Sequence, residues 1–595
     1  MFDVLNEKQI EAVKAGEGPL LIVAGAGSGK TKTLTARLAF LIKQGIAPER
    51  ILAITFTNKA ADEMKRRVRE ALGAGALKGK KEPFVGTFHS FGAYLLRTHA
   101  HILGRTSRFS IYDDDDSLRL AKYLFPQGDA RSKKASAIKI LKEISRIKNE
   151  LLQEEDVVLR KDGEDTWRLY CAYEAELREQ NAFDFDDLIT KVVHLLKTSD
   201  ALRARYQSRY DYILVDEYQD VNTSQYMLVK LLAAKHQNVN VVGDDQQAIY
   251  RFRFSDFRNF LNFERDWPSA RVVFLEQNYR STKNIIISSS ALIAQNTLQK
   301  TKELWTENDD GKPVGVVEHH SEYEEAAYVA MATQQALERG QSVGILYRTN
   351  AQSRALEQMF LEHAIPYNLF GAVTFYERKE VKDIIAMLRY VNNPKDKVSA
   401  QRIEKIFGKR QGAIVLEMLL LQQEKAPHAL IEHILKKTDY LERLEKEFLN
   451  YQERVENIQE LARFSSEFSL LENFLEKVLL AHPFDARGAQ KKKRREDITG
   501  ANMMTIHLAK GLEFDVVFVV GVNEGLLPHQ RSLFSLEDVE EERRLMYVAM
   551  TRARKELALS FWGTPSRFLS ELPGDRIEFV GDMALNDEER YIEYD

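Results

Sequence analysis

The stretch Leu20-Leu21-Ile22-Val23 running into Ala24-Gly25-Ala26-Gly27-Ser28-Gly29-Lys30-Thr31 constrains this chain more than any other. The apolar strand ends where the glycines begin, and these let the backbone turn tightly with its N–H groups facing inward. A helix then starts at Thr31, with Leu34, Leu38 and Ile42 on one side. Inward backbone donors and the positive helix end together form an anion seat. In that seat Lys30 reaches the β- and γ-phosphates as a point charge, and the Thr31 hydroxyl ligates Mg²⁺. Ala24 stands where the general pattern has its first glycine. The plain alternative is a glycine-rich loop with a surface lysine, and the strand before and helix after weigh against it.

Upstream, Asn6 is an N-cap with Gln9 closing a capping box three residues on. Downstream, Ile51-Leu52-Ala53-Ile54-Thr55-Phe56-Thr57 is a buried-type strand and Asn58 opens a helix. Residues 84–91 give a short strand and a loop crowded with aromatics. This β-α-β-α order predicts a parallel sheet. The sheet resumes with Tyr212-Ile213-Leu214-Val215, ending at Asp216-Glu217-Tyr218-Gln219-Asp220, and with Val239-Asn240-Val241-Val242, ending at Gly243-Asp244-Asp245-Gln246-Gln247. Both put polar residues at strand C-termini, where open α/β sheets bind ligands.

Val272-Val273-Phe274-Leu275 leads into Glu276-Gln277-Asn278-Tyr279-Arg280, and a second α/β pattern follows, with apolar runs at 343–347, 503–507, 516–520 and 557–561. It has no phosphate loop. From 92 to 197 the period shifts to 3.6 and strand signals largely vanish, and a second helical block fills 378–498. The predicted domains are therefore 1–91 with 198–276, interrupted by 92–197, and 277–377 with 499–595, interrupted by 378–498. Asp113 to Asp116 reads as a solvated helix start, and Lys491-Lys492-Lys493-Arg494-Arg495 as a solvated or mobile linker.

At 595 residues, the chain has material for roughly four domains. Its 44% hydrophobic and 29% charged composition is that of a soluble globular protein, and no apolar run approaches the roughly 18 residues that span a bilayer. The N-terminus lacks the basic start and apolar middle of a signal peptide, and Cys171 is the only cysteine, so a reducing cytoplasm is expected. With a net charge of −4, nucleic-acid binding has to come from local basic and aromatic patches.

Asp216 can hold the Mg²⁺ water shell beside Thr31, and Glu217 can polarise the water that attacks the γ-phosphate. Hydrolysis also needs positive charge on the transferring phosphoryl group, and an arginine from another domain is worth about 10³ to 10⁵ in rate. Arg280, after a strand end, and Arg552, after the helix-like stretch 540–550, are the candidates. Taken alone, Arg552 reads as a surface salt-bridge partner.

At these motifs, and nearly end to end, the sequence resembles the UvrD/Rep/PcrA-type superfamily 1A DNA helicases. The resemblance implies two RecA-like P-loop NTPase domains with parallel sheets, each interrupted by a mainly helical insertion. It implies an ATP- and Mg²⁺-dependent 3′-to-5′ helicase and single-strand translocase. Gln9 is similar to the family's adenine-reading glutamine, and Ala24 to Thr31 to its phosphate loop, where an alanine first position is normal. Gln247 resembles the γ-phosphate sensor, Tyr279 the residue stacking on adenine, Arg280 and Arg552 the γ-phosphate arginines, and Glu513 the ribose-side contact.

A single-stranded DNA track is implied at Phe56, Thr57, Asn58, Thr87, Phe88, His89, Tyr250, Phe252, Arg253, Tyr347, Arg348, Asn350 and His507. Aromatic faces stack on unpaired bases at roughly 1–3 kcal/mol each, while nearby Arg and Asn hold phosphates. Without the motif match, Phe56 and Phe88 read as core. Single-strand/duplex junctions and repair or replication accessory proteins are the implied partners.

The sequence departs from the family pattern at several places. Phe252 stands for the usual tryptophan and Phe254 for a glycine; Lys32 replaces an arginine commonly found beside the adenine, which weakens planar stacking on the base. The second insertion is shorter than usual, and Gly408-Lys409-Arg410-Gln411-Gly412 only loosely matches the family's glycine-rich duplex-binding loop. The chain ends soon after Pro565-Ser566-Arg567-Phe568-Leu569, without the longer C-terminal tail of many relatives. Outside this class stands a non-motor nucleotide switch or phosphotransferase using the same loop. The second α/β unit offers no acceptor-substrate motif for it.

Overall fold

The computed structural model of the chain describes residues 4–73, 81–124, 130–370, 378–422, 426–448, 451–479 and 500–580. Its strands, in chain order, are β1 (Leu20–Ala24), β2 (Ile51–Thr55), β3 (Phe84–Thr87), β4 (Ser110–Tyr112), β5 (Ala182–Asp184), β6 (Tyr212–Val215), β7 (Val239–Gly243) and β8 (Arg271–Leu275). There follow β9 (Val314–His319), β10 (Val343–Tyr347), β11 (Tyr367–Leu369), β12 (Ala501–Thr505), β13 (Phe514–Val519), β14 (Ala553–Trp562) and β15 (Ile577–Val580). They form two all-parallel sheets, ordered β3-β2-β6-β7-β1-β8 and β11-β12-β10-β13-β14-β9-β15.

Parallel strands covered by helices on both faces are apolar without interruption, and β1, β2 and β6 are buried at every residue. Side chains alternate between the faces. Leu20 and Ile22 pack with Leu34 and Leu38 of the helix after the glycine loop, while Leu21 and Val23 join Phe91, Leu228 and Phe260 on the other face. In the second sheet, Leu346, Met504 and Val519 face one core, and Ile345, Met503 and Phe518 the other.

The first insertion carries helices from Asp114–Leu124 to Asp187–Thr198. It also holds a small parallel sheet, β4 with β5, where strand signals were expected to fade. Each strand has three residues, too few for a period of two to register. β9, β11 and β15 of the second sheet were likewise not anticipated. The second insertion is helical, from Lys379–Asn392 to Leu471–Leu479, around its own core of Ile384, Leu388, Ile403, Leu430, Leu461 and Phe474.

The aspartate run does open a helix, Asp114–Leu124, with Asp114 and Asp115 exposed, but it is not solvated throughout. Asp116 is buried and paired with Arg389 of the second insertion, while Lys382 of the same helix meets Asp113 at 3.4 Å and also bonds Asp115. Tyr112 donates a further bond across this boundary to Asp396 at 3.0 Å. A buried ion pair of this kind costs about 3–5 kcal/mol to break from one side, because the remaining charge is left uncompensated. Lys491 to Arg495 lie outside the described residues. Among the described residues no helix is long and apolar enough to cross a membrane.

Candidate active site and nucleic-acid interface

The loops after β1, β6 and β7 meet at the carboxyl edge of the first sheet. Gly27 turns the chain at φ +66°, and any Cβ there would stand 2.5 Å from Asn278 Nδ2. Asn278 Nδ2 donates to Ala26 O at 2.7 Å and the Tyr279 N–H to Gly27 O at 3.1 Å, so the linker into the second domain is stitched to the loop. Gln9 closes the capping box with Asn6, and its amide nitrogen donates to Ser28 O at 2.9 Å. Gly25, Ser28 and Gly29 complete the loop, and the helix Lys30–Lys43 starts directly from it. Lys32 bonds the Val4 carbonyl.

Thr31 Oγ1 donates to Asp216 Oδ2 at 2.9 Å, and the Glu217 N–H donates to Asp216 Oδ1 at 3.0 Å. Burial, reinforced by the charge of Glu217, pushes the Asp216 carboxyl up to about 7. Burial also pushes Glu217 upward, but Lys30 and Lys510 outweigh it, and this carboxyl lies below its ordinary value. Glu217 adopts φ +51°, a left-handed conformation that costs a non-glycine residue about 1–3 kcal/mol, and the Gln219 amide fixes its carboxylate at 2.6 Å. A hydroxyl, a carboxylate with a raised proton affinity and an anion seat are a donor set that fits Mg²⁺ bound to phosphates, which takes few protein ligands. Among the described residues no cluster of three or more His, Cys, Asp or Glu side chains could hold a metal by itself.

The second domain closes this edge from the other side. Arg552 is buried, and its guanidinium bonds four neutral oxygens: Val548 O at 2.8 Å, Leu512 O at 3.1 Å, Thr551 Oγ1 at 3.0 Å and Gln247 Oε1 at 3.4 Å. Burial, and then the charge of Arg280, holds it down to about 9. A cation in that state fits an anionic partner. Arg280 donates through Nε to Glu513 Oε2 at 2.7 Å and through Nη1 to Thr551 O at 3.0 Å; Glu513 also pairs with Arg554. Gln247 Nε2 donates to Asp244 Oδ2 at 2.6 Å. Tyr279 is half exposed, its hydroxyl donating to Gln277 at 2.7 Å.

Beside the cleft, a cavity of about 490 Å³ lies between the first domain and both insertions. Its walls include Phe56, Thr57, Asn58, Thr87, His89 and Arg253. Phe56 stacks with Tyr250 at 6.2 Å and an interplanar angle of 7°, and the 61%-exposed Phe252 meets His507 edge-on at 5.4 Å. Burial, then Arg348 and Arg253, push His507 down to about 3, so its ring is neutral in a strongly positive setting. Thr57 and Thr87 cap the helices that follow them, and Asn350 is exposed.

Two expected stacking residues are corrected by their position. Phe88 lines the same cavity but is 2% exposed, packed in the core that includes Phe91 and Leu188, and Tyr347 is 1% exposed under the second sheet, so neither presents a ring face as open as that of Phe252. Tyr347, Arg348, Asn350 and His507 lie away from the cavity walls. Arg348 forks onto Glu542 through Nε and Nη2 at 3.0 and 2.7 Å.

Sequence reasoning passed over two residues of the site. Lys510 pairs with Asp220, donates to Gln247 O at 2.6 Å and lies 4.8 Å over the Tyr250 ring, joining the two domains at three points. It sits in the motif 507–514, where its spacing from His507 and Glu513 was the available signal. Lys302, buried against Asp244 and Asp245, carries no local signal at all.

A phosphate loop at a sheet's carboxyl edge, facing the buried Arg552 and the partly buried Arg280 of a second parallel α/β domain, defines a two-domain P-loop nucleotide hydrolase. Two family models match the chain: the UvrD/REP helicase N-terminal domain over residues 5–268, and the UvrD-like helicase C-terminal domain over 273–447 and 430–564. Among curated proteins, the ATP-dependent DNA helicase PcrA of Bacillus subtilis (strain 168) is 40% identical, covering 96% of this chain and 86% of its own length. PcrA of Staphylococcus aureus (strain Mu50 / ATCC 700699) is 37% identical with 97% and 87% covered, and that of Staphylococcus epidermidis 38% identical with 96% and 87%. The chain belongs to the UvrD/Rep family of DNA helicases.

Proposed function

We propose that this protein is an ATP-driven 3′-to-5′ DNA helicase and single-strand translocase. The observation that carries this is the junction at Gln247. Its amide oxygen meets Arg552 of the second domain, its backbone carbonyl meets Lys510, and three residues on Tyr250 opens the aromatic track. Nucleotide chemistry and the DNA path therefore share one short segment. In this assignment Lys30 and the loop from Ala24 to Thr31 hold the triphosphate, and Thr31 and Asp216 would hold Mg²⁺, which would supply neutralising charge at the phosphates. Glu217, the carboxylate kept ionised, orients and deprotonates the attacking water. Arg280 and Arg552 stabilise the developing charge once the domains close. Gln9, Lys32, Tyr279 and Glu513 frame the base and ribose. Phe56, Phe252 and His507 contact bases, and Thr57, Asn58, Thr87, His89, Arg253, Arg348 and Asn350 hold the strand, with Tyr250 supporting Phe56.

The named relatives are all ATP-dependent DNA helicases, which supports the same activity here. To that activity we add, as part of the proposal, a cytoplasmic location and work at single-strand/duplex junctions alongside repair or replication proteins. The eroded 408–412 segment makes duplex engagement the weakest capacity, so unwinding of 3′-tailed duplexes should fall steeply with duplex length while single-strand stepping stays robust. A translocase that strips proteins from DNA and unwinds poorly is the neighbouring reading that this segment favours. Stopped-flow unwinding of 3′- and 5′-tailed duplexes at several lengths tests both. A preference for 5′ tails would overturn the polarity, and length-independent unwinding would overturn the weakness at duplex.

A further inference from the structure

The segment after helix Lys283–Ala294 returns toward the first domain and lies against the phosphate loop. Leu304 occupies the space beside Gly25, where a Cβ would come within 2.1 Å of its Cδ2. The Lys300 N–H donates to Asp245 Oδ2 at 2.7 Å, and the Trp305 N–H to Glu276 O at 3.1 Å. Lys302, between them, has no exposed side-chain surface. It donates to Asp244 Oδ1 at 2.6 Å and to Asp245 Oδ1 at 2.8 Å. The other oxygen of Asp244 lies 3.6 Å from Lys30 Nζ and accepts the Gln247 amide at 2.6 Å.

One fully buried carboxylate thus stands between two lysines, and Lys30 is the one the phosphate loop needs. A buried carboxylate demands a cation close by. The distances assign that work: Lys302 makes a hydrogen-bonded ion pair, whereas Lys30 stands beyond hydrogen-bond range. Burial pushes the Asp244 carboxyl up, yet Lys302, ahead of Lys30, brings it below its ordinary value.

We propose that Lys302 is a positioning residue for nucleotide binding: by neutralising Asp244 it leaves Lys30 free to turn to the phosphates. Lys302 itself contacts protein carboxylates and no phosphate. If it were lost, Asp244 would keep Lys30 as its only nearby lysine, and Lys30 would be drawn onto Asp244 in competition with the nucleotide. This rests on the nucleotide site argued above and adds to it a residue remote from the ligand.

The test is the affinity of the full chain for a fluorescent ATP analogue with Mg²⁺, beside its affinity for oligo-dT and its thermal unfolding. Lys302→Met should weaken analogue binding at least about 10-fold with oligo-dT affinity unchanged, and Lys302→Arg should stay within about 3-fold of the parent. The decisive variant is Lys302→Met combined with Asp244→Asn, which removes the charge competing for Lys30 and should restore analogue binding to within about 3-fold. A merely structural lysine would not be rescued in this way. Parental affinity in Lys302→Met, or no recovery in the double variant, overturns the proposal. Should the single variant fail to fold, the double variant, which removes one positive and one negative charge and so leaves the local net charge unchanged, decides alone by the same criterion. Parent protein whose analogue binding is indifferent to Lys30→Ala would instead refute the nucleotide site itself.

Discussion

In the first sheet the loops following β1, β6 and β7 carry Lys30, Glu217 and Gln247 to the carboxyl edge, where open parallel sheets bind ligands. In the second, Glu513 and Arg552 stand immediately before β13 and β14, while Arg348 and His507 follow β10 and β12. Two sheets of like construction therefore use their edges differently. The first concentrates backbone donors, glycines and carboxylates that can seat a phosphate. The second splits its polar residues, turning two toward the nucleotide cleft and two toward the aromatic track. A domain so divided moves both sites when it moves, which is what conversion of hydrolysis into displacement requires.

The sharpest way to break this contrast is to remove the seat. Lys30→Ala should abolish ATP turnover while oligo-dT affinity stays near the parental value; retained DNA-stimulated turnover would show that the first sheet does not hold the phosphates. Next come the arginines of the second sheet. Arg280→Ala and Arg552→Ala should still bind nucleotide but lower kcat at least about 10³-fold. Lost nucleotide binding together with a lowered Tm would show that they only support the fold.

The track allows a finer division, between residues that touch DNA and residues that hold up those that do. Phe88→Ala should cost about 3–5 kcal/mol of stability, with single-strand affinity unchanged in whatever folds. At the second sheet, Glu325 accepts the Gly521 N–H at 2.8 Å, and burial pushes its carboxyl up to about 7 from the ordinary 4.5. Between those values the unfolded chain releases a proton that the folded protein keeps, so stability falls as pH rises through this window. Glu325→Gln should flatten that dependence, an effect on the order of 3 kcal/mol in unfolding measured at both ends of the window. Phe252→Ala should do the reverse of Phe88→Ala, weakening oligo-dT binding by about 1–3 kcal/mol with no change in unfolding. Equal behaviour of the two phenylalanines would erase the distinction that burial draws between them.

The first sheet was the more legible in sequence because its chemistry is local. The glycine loop, Asp216-Glu217 and Asp244-Asp245-Gln246-Gln247 each follow directly on an apolar run. The second sheet announced its long strands but not β9, β11 or β15, and of its cleft residues Arg280 and Arg552 were candidates from pattern while Glu513 was placed by resemblance alone. Burial was the hardest property to read. Phe56 and Phe88 look alike in sequence and border the same cavity, yet Phe56 is only partly buried while Phe88 is sunk into a core, because tertiary packing and not local composition decides how much of each ring is covered. Asp116 and Lys302 were missed for the same reason: their partners Arg389 and Asp244 lie far along the chain, and a long-range ion pair leaves no local trace.

The central claim is that one motion serves both edges of the second sheet, so that occupying the track must govern chemistry in the cleft. The most direct measurement is steady-state ATP turnover by the full chain with and without a single-stranded oligonucleotide at saturating Mg²⁺ and ATP. The account predicts turnover that rises at least about 10-fold with DNA, an effect that falls away as salt weakens the phosphate contacts. Turnover that is the same with and without DNA would contradict it and leave a nucleotide switch.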